Sequence, residues 1–116
     1  MRKTLPILAA TILMPFLVLA QSPKPSDFKI ASSDGKWMND KFYVIGEVKN
    51  NGGIPAGVRI EAVARDSSGT FIIAQRFWPN STNNIPPGGS CQIKQAITDN
   101  RNAQRVEVRI LAVRVW

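Results

Sequence analysis

No histidine occurs in this chain, and cysteine occurs once, as Cys91. The side chains left to do chemistry are Asp27, Asp34, Asp40, Glu47, Glu61, Asp66, Asp99 and Glu107, set against 15 lysines and arginines. Without imidazole there is no histidine-based nucleophilic triad and no side chain of ordinary pKa near neutrality. A lone thiol cannot assemble the ligand set of a zinc site. Asp66-Ser67-Ser68-Gly69 lacks the spaced carboxylates of a calcium loop and reads as a turn. A glycosidase-type acid pair needs two carboxylates facing each other across a cleft. Glu61 and Glu107 instead each have an arginine two residues away, as expected of cross-strand ion pairing on a solvated sheet. These residues imply a protein that is not an enzyme, with no catalytic residue, no metal site and no cofactor.

The basic residues offer a binding surface. Arg59 and Arg65 fall on one face of an alternating stretch, and Arg105 and Arg109 on the corresponding face of another. If the two stretches share a sheet, four guanidinium groups gather on one surface with only Glu61 and Glu107 to offset them. Such a patch concentrates anionic glycans or lipid surfaces in a salt-dependent way. The plainer reading is that the arginines pair with the two glutamates and keep the sheet soluble. Trp37, Trp78 and Trp116 offer flat aromatic surface for a sugar, or core mass for a small domain. Cys91 shares a strand face with Ile93 and Ile97, which makes it a small buried apolar residue rather than a reactive thiol. Asn80-Ser81-Thr82 has the form of a glycosylation acceptor, which matters only in a host able to use it.

The elements that must position these groups are strands, because the hydrophobic period is two throughout and no helical period appears. Phe28-Lys29-Ile30 starts one, which Ser32-Ser33-Asp34-Gly35 closes as a turn, and Trp37 sits in a short segment before Asn39-Asp40. Lys41 to Lys49 places Phe42, Val44 and Val48 on one face, and Asn50-Asn51-Gly52-Gly53 breaks it. Val58 to Arg65 alternates with Val58, Ile60, Ala62 and Ala64 inward. Asp66 to Gly69 carries hairpin chemistry, and Thr70 to Trp78 returns. Pro79 to Gly89 is long for a hairpin and suits a crossing between sheets. Cys91, Ile93 and Ile97 mark the next inward face. Arg105 to Trp116 is the last strand, with Val106, Val108, Ile110 and Ala112 inward. Six to seven strands with regularly spaced turns predict an all-β, antiparallel β-sandwich, with a small barrel as the competing architecture.

A cationic Met1-Arg2-Lys3 start precedes an uncharged apolar run from Leu5 to Ala20, with Val18-x-Ala20 at its end. This is the pattern of a secretory signal peptide over residues 1–20, cleaved before Gln21. The run is short for a membrane span and carries Pro6 and Pro15. Residues 21–27 then form a flexible, proline-containing leader, and residues 28–116 the β-sandwich domain. Cleavage leaves 96 of the 116 residues and lowers the net charge from +7 to +5, as Arg2 and Lys3 leave. With one cysteine there is no internal disulfide, so packing alone must hold the exported domain together.

Three stretches occur together in a recognisable order: Gly46-Glu47-Val48-Lys49-Asn50, Asp66-Ser67-Ser68-Gly69 and Ile85-Pro86-Pro87-Gly88-Gly89-Ser90. Between Phe42 and Arg114 the chain resembles the FxLYD-type domains, small exported immunoglobulin-like modules of bacteria and archaea. The family's Phe, Leu and Tyr are absent, since Ala62-Val63-Ala64-Arg65 precedes Asp66. The resemblance implies an immunoglobulin-like sandwich and an accessory or interaction role, and it brings no catalytic residues. The expectation is a monomeric, non-catalytic binding or structural module in the periplasm or outside the cell. Its partner would be a protein or an envelope polymer, with no nucleic acid and no membrane span after cleavage. A polyanion-binding adhesive module using Arg59, Arg65, Arg105 and Arg109 is the alternative.

Overall fold

The computed structural model describes residues 22–116; the signal peptide expected over residues 1–20, and Gln21, lie outside the described residues. A single 3-10 turn, Pro25–Asp27, leads into six strands: β1 (Phe28–Met38), β2 (Lys41–Asn50), β3 (Gly57–Arg65), β4 (Phe71–Phe77), β5 (Ser90–Thr98) and β6 (Arg105–Arg114). They form two antiparallel three-stranded sheets, ordered β1-β2-β5 and β4-β3-β6. The β1-β2 and β3-β4 connections are hairpins within a sheet, and the other three cross from one sheet to the other. The Pro79–Gly89 segment is one of these crossings, as its length predicts.

Between the sheets lies a single core. Sheet β1-β2-β5 contributes Phe42, Val44, Val48, Ile93 and Ile97, and β3 contributes Val58, Ile60, Ala62 and Ala64. Large side chains on β2 are matched by two alanines on β3, the volume alternation that close packing favours. Cys91, opposite Val48 on β5, packs at the rim of this core and is only half-buried, so the expectation of full burial needs correction.

Two strand readings are also corrected. Ser32 to Gly35 is not a turn: β1 runs through it to Met38, paired with β2 along its length and bulged near Ala31. Gly35 sits there because Phe42 fills the space above it. A Cβ at Gly35 would come 2.2 Å from the end of that ring. The true turn is Asn39-Asp40, with both residues in the left-handed region at φ 50° and 65°, as a two-residue hairpin of this twist requires. In β6 the register slips between Arg59 and Ile60 of its partner, making Leu111 an extra residue. The phase therefore reverses, so Val113 packs inward and Ala112 turns outward opposite Arg59.

Two turns carry most of the local chemistry. Asp66 Oδ1 accepts from the backbone N–H groups of Ser68 and Thr70, both at 2.9 Å, and Gly69 takes φ 86°, closing the β3-β4 hairpin. Asn50, at the end of β2, has no exposed surface. Its Nδ2 donates to the carbonyls of Ile54 (2.9 Å) and Ile85 (2.8 Å), and its Oδ1 accepts from Gly52 N (2.9 Å). Its backbone N–H donates to Gly89 O, and its carbonyl accepts from Gly88 N. One residue thus ties together both crossings that flank the β3-β4 hairpin.

Candidate functional site

Buried positions Val58, Ile60, Ala62 and Ala64 turn the odd-numbered residues of β3 outward, and the registers with β4 and β6 extend that phase across the sheet. The outer face of β4-β3-β6 therefore carries Arg59, Arg65, Arg76, Arg105, Arg109 and Arg114, against Glu61 and Glu107 alone. All four arginines picked out from the sequence lie on this one face. Arg65 and Arg105 are directly opposite each other, and Arg109 is opposite Glu61.

Glu61 is the hub. Its carboxylate accepts from Arg109 Nε at 2.8 Å on one side and Arg76 Nε at 3.0 Å on the other, bridging all three strands. The two guanidinium groups cover it so well that its side chain keeps only 8% of its accessible surface. The bond from Arg109, and then that from Arg76, hold its pKa below the ordinary carboxylate value. A carboxylate held ionised in this way cannot act as a general acid near neutral pH. Glu107 pairs with Arg65 through Nε, and Arg65 also donates to Gly69 O at 3.0 Å. A shallow hollow of about 290 Å³ lies among Glu61, Arg65, Glu107 and Arg109.

Three arginines are therefore spoken for, and three are not. Among the described residues, Arg59, Arg105 and Arg114 have no carboxylate within ion-pair distance. Sequence reading missed Arg76 and Arg114. Arg76 was hidden because a bulge near Ile72 decides whether Gln75 or Arg76 faces outward. Arg114 was hidden by the phase reversal at Leu111.

The tryptophans divide. Trp37 Nε1 donates to Ala103 O at 3.1 Å, and its ring lies 5.5 Å from that of Phe42, so it closes the core edge. Trp78 and Trp116 instead meet each other edge to face, 5.3 Å apart, at the Gly57 end of the outer face. No group of three or more metal-ligating side chains occurs among the described residues, and no described helix is long and apolar enough to cross a membrane. No family model, curated protein or solved structure matches the chain.

Proposed function

We propose that this chain is an exported, non-catalytic binding module with an immunoglobulin-like fold, and that the outer face of β4-β3-β6 is its contact surface for polyanions. The observation that carries the reading is the charge on that face: six arginines meet two glutamates, and three of the six have no carboxylate partner. The paired arginines are held in place by Glu61 and Glu107, which fixes their spacing. Arg59 and Arg65 stand three outward positions apart on β3, about 20 Å, so the face offers separated cationic points to a polymer laid along the strands. Export to the periplasm or cell exterior rests on the residue 1–20 pattern and would place the face among envelope glycans and anionic lipids.

Topology supports the fold assignment. In an immunoglobulin sandwich strands A, B and E are neighbours in one sheet and C and F in the other, with C′ beside C in variable-type domains. The orders β1-β2-β5 and β4-β3-β6 reproduce A-B-E and C′-C-F. Two of the three stretches that resemble the FxLYD-type family meet in space, since Asn50 bonds Gly88 and Gly89. This supports a related module, without the family's namesake residues.

The test is a heparin titration of the protein at low and physiological salt, wild type against Arg59→Glu/Arg109→Glu. Binding should be strong at low salt, weaken as the screening length falls toward about 8 Å, and be lost in the double variant with its melting cooperative. No binding at low salt, or binding untouched by the double reversal, sinks the proposal. Export is checked by the intact mass of the processed protein, which should begin at Gln21.

A further inference from the structure

The Gly57 end of the arginine face differs chemically from the rest of it. Gly57 is the first outward position of β3, and a Cβ there would clash with the Trp116 indole at Nε1. The missing side chain is thus what seats the indole on the sheet. Trp116 is fixed from the other side by Asn84, whose Oδ1 accepts from Trp116 N at 2.9 Å and whose Nδ2 donates to Trp116 O at 3.4 Å. Trp78, directly after β4, braces it edge to face. Arg114 then lays its guanidinium over the Trp116 ring, with Cζ 4.3 Å from the ring centroid. Stacking of this kind restricts a guanidinium while leaving its N–H edge free for an oxyanion. The next outward residue on β3 is Arg59, which also has no carboxylate partner among the described residues.

A stacked guanidinium, a second arginine at the next outward position and partly exposed indole surface match a ligand with both an oxyanion and an apolar ring face. We infer that Trp78, Trp116, Arg114 and Arg59 form a subsite for an acidic sugar residue. The arginines take its carboxylate or sulfate, and the indole surface that Arg114 leaves open takes the C–H face of the pyranose. This rests on the polyanion reading of the outer face and narrows it. A bare phosphate polymer satisfies the arginines but leaves the indoles unused, so the corner selects an anionic saccharide over a polyphosphate of equal charge.

The experiment titrates the protein with an oligouronide and, separately, with a linear polyphosphate of matched charge. In wild type and in Trp78→Ala, the oligouronide should bind about tenfold more weakly to the variant, which corresponds to about 1.4 kcal/mol, while polyphosphate binding stays unchanged. Tryptophan emission gives a readout that needs no variant. Trp37 is engaged with Phe42 and Ala103, so a ligand-induced change reports on Trp78 and Trp116. It should appear with the oligouronide and be absent with polyphosphate. Equal effects of Trp78→Ala on both probes, or emission unmoved by saturating oligouronide, overturn the sugar subsite and leave the polyanion face standing. Failure of both probes to bind at low salt removes the face and the subsite together.

Discussion

Asn50 is the residue on which the architecture depends most for its size. Its side chain makes three hydrogen bonds inside the protein, at 2.8 to 2.9 Å, and none of its surface reaches water. Replacing it with alanine strands the carbonyl of Ile54 and the amide of Gly52, and leaves the carbonyl of Ile85 only the 3.3 Å bond from Ala56 N. A buried hydrogen bond contributes about 1 kcal/mol net, and an unsatisfied partner costs somewhat more. Asn50→Ala should therefore cost about 3 kcal/mol. In a domain of this length that lowers the melting temperature by roughly 12–24 °C. Urea denaturation should show a lower midpoint with an unchanged slope, because the folded topology is the same. Asn50→Asp sharpens the test, since a carboxylate still accepts from Gly52 N but offers nothing to the two carbonyls. It should be at least as destabilising as alanine at neutral pH. If Asn50→Ala stays within about 0.5 kcal/mol of wild type, a size of effect usual for surface substitutions, or if Asn50→Asp is neutral, the crossings are held by something else and the argument fails.

Other outcomes follow from the charges and the thiol. Because Glu61 has a lowered pKa in the folded state, its contribution is present above the unfolded value of about 4.3 and is lost as pH falls through the folded value. Acid unfolding curves of wild type and Glu61→Gln should therefore converge as the pH drops, and parallel curves would show that the Arg109–Glu61–Arg76 bridge adds nothing. Burial raises the pKa of the Cys91 thiol, so a thiol reagent at neutral pH should label the folded protein more slowly than the urea-unfolded one. Cys91→Ala should cost about 1 kcal/mol, and equal labelling rates or a reducible dimer would contradict the half-buried placement.

The strands were legible wherever one face meets the core and the other meets water. Lys41 to Asn50 and Gly57 to Arg65 show this best, since their period of two is set by burial alone. The Asp66–Gly69 turn was legible for the same local reason, as its hydrogen bonds close within five residues. Ser32 to Gly35 was misread because polar residues and a glycine at an exposed sheet edge look like a turn. What makes Gly35 a strand residue is the Phe42 ring across the hairpin, which is information from another strand. Asn50 was misread as a mere breaker because the partners that join it to the second crossing, Ile85, Gly88 and Gly89, lie more than 30 residues away.

The arginine face shows most clearly where one-dimensional reading stops. Alternation correctly put Arg59 with Arg65 and Arg105 with Arg109, and the adjacency of β3 and β6 then brought all four together. Alternation could not say which of them would be neutralised. That depends on two registers at once, both shifted by bulges, and a slip of one residue reverses every side chain on a strand. The bulge at Leu111 illustrates the consequence. It sends Ala112 outward beside Arg59, where unbroken alternation would have put Leu111, and it turns Arg114 to the side where Trp116 lies. The same irregularity therefore leaves Arg59 beside a small neighbour and supplies the stacked arginine at the sheet end. Deleting Leu111 removes the extra residue and should leave Ala112 and Arg114 outward and Val113 inward, whereas pairing Leu111 with Arg59 in an unbroken ladder would carry Arg114 to the inner face. The outward placement of Arg114 is thus a property of the register of β6 rather than of its composition.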